Sequence, residues 1–274
     1  MTKIKLVAID IDDTLLNSKH HVLASTKEAV KKAAGLGVKV VLCSGRALAG
    51  VMPFLKELGL TKPDQLVATC NGGIIMNLAG EIISKHVLQT SDFDKIRSFC
   101  DNHHVNYNAL DDQSMLYTTN HQINWYTITQ ADENKDGIVI LDEKDLPINF
   151  TLVKVVMTGV PDLLDQVEVD LRKEFSNGYY IVRSMRPFLE IANPNANKGT
   201  AVSDLTDYLN LAPEEVMVIG DELNDLPMFK FAGTAVAMGN ANPDLKEHAT
   251  YVTSDNDHDG IAQAFEKFIL NAEN

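Results

Sequence analysis

The chain has 274 residues, 45% of them hydrophobic and 23% charged, which is an ordinary globular composition with enough residues for two cores. Its formal net charge of −14 disfavours binding to nucleic acid and to anionic membranes, and an anionic ligand would need a local positive pocket or a bound cation. No apolar run approaches the ~20 residues of a membrane span, the first residues lack a signal-peptide layout, and three widely spaced cysteines suit reduced thiols, so we expect a cytoplasmic protein.

The first ~80 residues alternate between apolar runs and helix-like patterns. Ser25 and Glu28 resemble a capping box that opens a helix, and Gly37 is a plausible stop for it. A second helix is predicted over residues 53–58 or from slightly earlier. The apolar runs that read as strands are residues 4–9, 38–43 and 66–70. Continuous apolar strands separated by helices predict a parallel sheet that is buried on both faces.

The pattern changes after residue 70, where two β-rich runs around residues 78–80 predict a hairpin. The next hundred residues contain both helix-like and strand-like patterns. Helices are predicted over 93–103 and 161–175, strands over 152–158, 179–182 and 188–191, and a polar stretch over 131–137. This mixture favours an α+β module with an antiparallel sheet and helices on one face.

The alternation of apolar runs and helix-like patterns returns near residue 192. Helices are predicted over 199–209 and 261–270, and strands over 216–219, 234–237 and 250–253. The simplest fold is therefore α/β, with a Rossmann-like parallel-sheet core formed by residues 1–83 and 192–274. Residues 84–191 form an inserted α+β domain in this interpretation.

Polar side chains follow three of the predicted core strands. They are Asp10, Asp12 and Asp13; Ser44 and Arg46; and Asp221, Asn224 and Asp225. Because ligands bind at the carboxyl ends of parallel strands, we expect these three groups to meet in one crevice. Clustered carboxylates need a cation, and oxygen ligands favour Mg²⁺. For Asp13, a role in a turn or helix cap is the alternative.

Carboxylates beside a metal suggest phosphoryl transfer. One carboxylate can attack phosphorus, and a second can protonate the leaving oxygen and then activate water. Asp10 and Asp12 are two residues apart on an extended strand end, so they point the same way. Residues 44–46 form a loop before a helix, which suits anion capture. Lys198 opens another helix, an unfavourable place for a cation, and it is either a phosphate contact or a solvated surface lysine.

Four short motifs carry a family resemblance. "DIDDT", "SGR", "NKGT" and "GDELNDLPMF", in this order, resemble the motifs of the haloacid-dehalogenase-like hydrolases. The insertion between the second and third motifs, with "MRPFLEI" and "AVAMGNANPDLKEHATYVT", is similar to the Cof-type sugar phosphatases with a type IIB cap. The resemblance covers essentially the whole chain and implies an Mg²⁺-dependent phosphatase that forms an aspartyl-phosphate.

The resemblance also implies roles for individual residues. Asp10 is the implied nucleophile and Asp12 the implied general acid and base, and the second aspartate disfavours dehalogenation. The implied Mg²⁺ ligands are Asp10, Asp221 and the main-chain oxygen of Asp12, with Asp225 in support. The implied phosphate contacts are Ser44, Lys198 and the N–H groups of Ile11 and Gly45. Asn224 would bind phosphate or hold the metal shell. Many relatives have glycine where this chain has Asp13.

Substrate contacts are harder to place. Arg46, Asn71 and Gly72 are the candidates on the core side. For the cap residues Arg183, Arg186 and Glu190 we favour a surface-charge or turn role over a substrate contact. The paired histidines (20 and 21, 103 and 104) are interpreted as solvated, and Trp125 and Tyr126 as packing within the cap rather than a sugar-stacking platform.

Three other functions compete with the phosphatase. A phosphotransferase or phosphomutase on the same fold would use the same aspartates but pass the phosphate to a second sugar. A signalling receiver also gathers acids, a hydroxyl and a lysine at strand ends, but it is about half as long and has no insertion. A sugar-phosphate-binding regulator would not need the complete set of catalytic residues. Small phosphate esters are the expected partners: hexose, short sugar, flavin or pyridoxal phosphates.

Overall fold

The computed structural model describes residues 3–142, 145, 150–175 and 178–271. Its strands are β1 (Leu6–Ile9), β2 (Lys39–Cys43), β3 (Leu66–Thr69), β4 (Ile74–Asn77), β5 (Ile82–Lys85), β6 (Asn106–Asp111), β7 (Leu116–Thr118), β8 (Ile138–Ile140), β9 (Leu152–Thr158), β10 (Tyr180–Met185), β11 (Phe188–Ala192), β12 (Val216–Gly220), β13 (Thr234–Ala237) and β14 (Tyr251–Val252). Its α-helices are α1 (Ala24–Gly35), α2 (Leu48–Glu57), α3 (Thr90–Asn102), α4 (Trp125–Asn134), α5 (Pro161–Phe175), α6 (Lys198–Tyr208), α7 (Leu226–Phe231), α8 (Pro243–Lys246) and α9 (Gly260–Phe265).

The first sheet contains eight strands in the order β14-β13-β12-β1-β2-β3-β4-β5. The pairs from β14 to β3 are parallel, and the hairpin strands β4 and β5 extend the sheet antiparallel. Strands β1 and β12 are buried at every position, as expected for continuous apolar strands in a covered sheet. The predicted α/β fold with a parallel core sheet is confirmed.

The second sheet contains six strands in the order β10-β11-β9-β6-β7-β8. Its pairs are antiparallel, as predicted, except that β7 and β8 run parallel. Parallel neighbours need a long crossover connection. Helix α4 lies in the chain between these two strands and provides that crossover.

Each sheet has its own apolar core, and a third cluster joins them. The first core contains residues from β1, β2 and β12, and the second contains Phe93, Tyr107 and Leu164. The joining cluster combines Ala47, Cys70 and Ile74 from the first-sheet region with Leu110, Leu116, Ala131 and Val153 from the second-sheet region. The second sheet and its helices, hereafter the cap, are therefore packed onto the first sheet and its helices, hereafter the core.

The division at residues 83/84 and 191/192 remains a proposal. Strand β5 of the first sheet ends at Lys85, and strand β11 of the second sheet ends at Ala192. Both proposed boundaries therefore fall inside a strand, within two residues of its end.

Two predicted helix starts are corrected by the structure. The Ser25–Glu28 capping box is wrong, because α1 begins at Ala24 and the Ser25 hydroxyl donates to Asp259 Oδ1, at 2.5 Å. Helix α2 begins at Leu48, well before Pro53, which lies inside the helix. Proline is tolerated best in a first helical turn, which is why the pattern suggested a start there.

The polar stretch at 131–137 and the interpretation of Trp125 are also corrected. The stretch contains the last turn of α4. The N-cap of this helix is Asn124, whose side chain accepts a hydrogen bond from Thr127 N. Trp125 is 73% exposed and is not part of the cap packing. Among the described residues, no helix is long and apolar enough to cross a membrane.

Candidate active site at the carboxyl ends of the core strands

Asp10 lies at the end of β1, where the chain leaves the sheet. Its backbone is extended, and residues 11–15 then form an irregular turn in which Asp13 has a left-handed φ of 56°. Glycine adopts this conformation without strain, and aspartate tolerates it. The turn role considered for Asp13 therefore fits, and its carbonyl accepts a hydrogen bond from Asn240 Nδ2, at 2.8 Å.

The register of the sheet brings Asp221 beside Asp10. Ile9 pairs with Ile219 across the parallel strands β1 and β12, so the residues that follow emerge at the same edge. Asp225 comes from the turn after β12. Ligand oxygens of Asp10, Asp221 and Asp225 all lie within 4.8 Å of one another, and all three residues are buried.

Lys198 is the buried cation of this cluster. Its Nζ atom lies 2.5 Å from Asp10 Oδ1 and 2.6 Å from Asp225 Oδ1. The side chain is fully buried, so the surface alternative is excluded. Lys198 is the first residue of α6, and the two carboxylates offset the unfavourable position of a cation at a helix N-terminus.

The electrostatics of the cluster show an excess of negative charge. Burial raises the pKa of Asp10 to about 7, although Lys198 opposes the rise. Burial, then Asp10 and Asp225, raise the pKa of Asp221 to about 9. The same carboxylates outweigh burial at Lys198 and hold its pKa well above the usual value. The cluster therefore holds three carboxylates but one ammonium group, which contacts two of them, and a second cation would relieve their repulsion.

The donor set fits a hard divalent cation. Carboxylate oxygens are the ligands that such ions prefer. Asn224 Oδ1 is also buried and has no hydrogen-bond partner in the described part of the chain. An orphaned buried oxygen beside an acidic cluster indicates room for an additional positive or hydrogen-bonding group.

The loop after β2 brings Ser44 and Arg46 to the same edge. Ser44 is buried, and its Oγ accepts a hydrogen bond from Arg46 N, at 3.2 Å. Arg46 donates to both carboxylate oxygens of Asp12, at 3.0 and 2.6 Å, and to the Glu133 carbonyl of α4, at 3.2 Å. Arg46 therefore orients Asp12 and at the same time contacts the cap.

Asp10, Asp12 and Asp221 line a cavity of about 80 Å³ whose opposite wall belongs to the cap. The cap residues in this wall include Gln130, Glu133, Lys154, Ser184 and Glu190. The sequence interpretation missed the first four of these. Glu133 lies in the stretch 131–137 that was read as polar, and Gln130 directly precedes that stretch. A lysine within the apolar run "LVKVVMT" was a visible signal for Lys154.

Three other predicted contacts lie outside the cavity lining. Ile11 is buried in the turn after Asp10. Asn71 and Gly72 follow β3 but do not belong to the described cavity lining. Gly72 has a φ of +91° and approaches the Asn197 carbonyl so closely that a side chain would not fit.

Three cap residues that sequence reasoning grouped together behave differently. Arg183 pairs with Asp165 and Glu168 of α5, and Arg186 is exposed, in line with the surface-charge interpretation. That interpretation is wrong for Glu190, which is 4% exposed and pairs with Lys154.

Comparison with known proteins identifies the family. A profile of the haloacid dehalogenase-like hydrolases matches residues 7–265. The chain belongs to this family. Within the family it is a Cof-type phosphatase.

Relatives and solved structures match over nearly the full length. YxeH of Bacillus subtilis strain 168 is 34% identical, over 97% of this chain and 98% of its own. The 5-amino-6-(5-phospho-D-ribitylamino)uracil phosphatase YcsE of the same organism is 30% identical, over 97% and 96%. A haloacid dehalogenase-like hydrolase from Bacteroides thetaiotaomicron has a similar structure, with a TM-score of 0.86 and 31% identity over 97% of this chain and 99% of that one. The chain therefore shares its parallel core sheet and its second sheet, the cap, with this solved member of the family.

Proposed function

We propose that the protein is an Mg²⁺-dependent phosphatase that hydrolyses small phosphate monoesters, sugar phosphates above all, through an aspartyl-phosphate on Asp10. The observation that carries this proposal is the buried cluster of Asp10, Asp221 and Asp225 at the carboxyl ends of the core strands, with Lys198 bound to Asp10 and Asp225. Such a cluster combines a nucleophile with the means to hold a cation and an anion together.

Asp10, Asp221 and the main-chain oxygen of Asp12 would hold the Mg²⁺. Asp225 would support them from behind, since its Oδ2 accepts hydrogen bonds from Asp221 N and Glu222 N, at 2.9 and 3.1 Å. A bound Mg²⁺ supplies the positive charge that lets a carboxylate and an anionic phosphate approach each other.

The chain's own residues account for the two chemical steps. Ser44, Lys198, Asn224 and the N–H groups of Ile11 and Gly45 would hold the phosphoryl oxygens. An Asp10 carboxylate oxygen bonds to phosphorus while the bond from phosphorus to the leaving alcohol breaks, and Asp12 gives its proton to that alcohol. Asp12 then takes a proton from water, whose oxygen attacks phosphorus and releases inorganic phosphate and Asp10.

The cap wall supports a leaving group with several hydroxyl groups. Gln130, Glu133 and Ser184 offer amide, carboxyl and hydroxyl groups to the cavity. Gln130 Oε1 is buried without a hydrogen-bond partner among the described residues, so it can accept from a ligand hydroxyl. The relative YcsE is named for an ester whose phosphate is on a ribityl chain, which is a polyol.

The cavity is too small for such a substrate as it stands. Its volume of about 80 Å³ is below the ~150 Å³ of a cavity that admits benzene. The cap must therefore move away from the core to admit a sugar phosphate and return before the reaction, which excludes bulk water.

A panel of phosphate esters assayed with and without Mg²⁺ tests the proposal. The panel includes hexose, short sugar, flavin and pyridoxal phosphates, ranked by kcat/KM for release of inorganic phosphate. We expect the sugar phosphates to rank highest and the activity to need Mg²⁺. Phosphate recovered on a second sugar would support the phosphotransferase alternative, and no release from any ester would contradict the proposal.

A further inference from the structure

The cap contains a buried ion pair that the catalytic steps do not use. Lys154 lies in β9 and Glu190 in the neighbouring strand β11, and Lys154 Nζ is 2.9 Å from Glu190 Oε2. They are 2% and 4% exposed. Burying two charges carries a large desolvation penalty, and an apolar pair of similar size is often at least as stable. Stability alone is therefore a weak explanation for this pair.

Both members of the pair also bind the core. Lys154 Nζ donates to the Gly45 carbonyl, at 2.9 Å, in the loop that presents Ser44 and Arg46. Glu190 Oε2 accepts from Asn71 Nδ2, at 3.0 Å, while its other oxygen accepts from the Ser184 hydroxyl, at 2.6 Å. The pair thus makes two polar contacts across the boundary between cap and core.

The core residues that receive these contacts are connected to the phosphate site. Asn71 N donates to the Ser44 carbonyl, at 2.8 Å, and Asn71 Oδ1 accepts from Asn224 Nδ2, at 3.3 Å. Cys70 and Asn71 have left-handed φ values of 54° and 55°. Non-glycine residues seldom adopt such conformations and persist in them only where their surroundings hold them.

We infer that Lys154 and Glu190 are positioning residues that assemble the phosphate site when the cap closes. The ion pair holds the Gly45 carbonyl and the Asn71 amide, and Asn71 in turn places Asn224. Closure of the cap over a substrate is thereby coupled to the geometry of Ser44, Gly45 and Asn224. This inference rests on the proposed function and adds a task for two residues that do not touch the reacting atoms.

A matched pair of variants at position 190 separates positioning from simple stabilisation. Glu190→Gln and Glu190→Met both remove the charge at nearly constant size, but only glutamine keeps an oxygen that accepts from Asn71. We expect kcat to fall on the order of 10- to 100-fold further in Glu190→Met than in Glu190→Gln, as for a displacement of about 1 Å at a catalytic site. KM should change less than kcat. Equal kcat values in the two folded variants would overturn the inference.

A charge swap keeps the test decisive if one of these variants does not fold. Lys154→Glu combined with Glu190→Lys restores an ion pair but reverses donor and acceptor at Gly45 and Asn71. We expect Tm to recover relative to the single substitutions while kcat stays low. Recovery of kcat together with Tm would show a merely structural role. Arg172→Met is the control, because it removes a cap ion pair with Glu168 that does not reach the core, and kcat should not change.

Phosphate affinity distinguishes failure of the inference from failure of the proposed function. If the unmodified protein hydrolyses no ester, the proposed function fails, and calorimetric titration with inorganic phosphate in Mg²⁺ then tests the positioning. The affinity should be about 10-fold weaker in Glu190→Met than in Glu190→Gln, which corresponds to ~1.4 kcal/mol. Equal affinities would overturn the inference.

Discussion

Asp10 is held by Lys198 in the buried cluster, and its carboxylate is both the proposed nucleophile and one of the repelling charges. Asp10→Asn keeps the size of the side chain but removes the nucleophile. We expect turnover to be abolished and the fold, measured by circular dichroism, to be unchanged. In metal-free buffer the Tm should stay equal or rise, since burial and neighbouring carboxylates already raise the pKa of Asp10 to about 7. Appreciable phosphatase activity in this variant would exclude Asp10 as the nucleophile.

Asp12 lies in the fork of the Arg46 guanidinium, where it is proposed to exchange the proton. Asp12→Ala removes the general acid and base but not the nucleophile, so kcat should fall by ~10²–10⁴-fold for esters of ordinary alcohols. Esters with very acidic leaving groups need no protonation and should be less affected in the first step. A uniform loss across leaving groups of different pKa would argue against Asp12 as the general acid.

Some residues of the candidate site could be predicted from the sequence and others could not. Asp10, Asp12 and Asp221 were visible because each follows a continuous apolar strand, where little but a turn or a ligand explains an acid. The contact between Asp225 and Lys198 needed coordinates, since 27 positions separate these residues. Gln130 and Glu133 were missed because α4 was not recognised, although Asn124 is a good N-cap residue and marks its start.

Helix α4 carries a titratable side chain, Glu133, in the cap wall of the cavity. Burial raises the pKa of Glu133 to about 7, more than the nearby Arg46 lowers it. The folded protein therefore retains a proton that the unfolded chain has lost, and stability should fall as pH rises from the unfolded value towards about 7. In Glu133→Gln this loss is absent, so the Tm difference between variant and unmodified protein should grow from about pH 5 to 8. A Tm difference that stays constant over this pH range would contradict the raised pKa of Glu133.

Helices α2 and α4 meet where the cap rests on the core. A methyl group at Gly50 would overlap the Glu133 carbonyl oxygen. Gly50→Ala should therefore prevent α4 from seating, lose the bond from Ala47 N to Asn134 Oδ1 and lower kcat/KM. Gly35→Ala in α1 is the matched control, because no heavy atom lies within 4 Å of the added methyl group, and it should leave kcat/KM unchanged. Unaltered kinetics in Gly50→Ala would show that this contact does not control the site.

Strands with a continuous apolar run were predicted well, whereas the start of α2 and the pairing direction of β7 were not. The buried strands β1, β2 and β12 were placed within a few residues, because a continuous apolar run between helices has few other interpretations. The start of α2 was obscured by Pro53, and the parallel pairing of β7 with β8 depends on the crossover through α4. Pairing direction is a tertiary property that the sequence pattern of a short strand does not contain.

At the scale of the whole molecule, the net charge of −14 makes the divalent cation central to the account. Removing it with EDTA should abolish activity without unfolding the protein. Adding Mg²⁺ should raise Tm, because a ligand at 100 times its Kd stabilises the folded state by ~2.7 kcal/mol. Asp221→Asn should show a smaller rise at the same Mg²⁺ concentration, and an identical rise would place the ion elsewhere.

The two-part organisation was predictable, but the way the parts meet was not. The change from continuous apolar runs to mixed patterns and back indicated an insertion. The contacts of Lys154 with Gly45 and of Glu190 with Asn71 join residues 109 and 119 positions apart, and no local pattern specifies such pairs. The sequence therefore predicted a site in the core, and coordinates were needed to see which cap residues lie beside it.

Trapping the covalent intermediate tests the central claim most directly. The protein is mixed with a good substrate and Mg²⁺, quenched with acid during turnover, digested and examined by mass spectrometry. The account predicts one added phosphoryl group on the peptide that contains Asp10, located on that residue, and none in Asp10→Asn. A phosphoryl group on another residue of the active enzyme would contradict it.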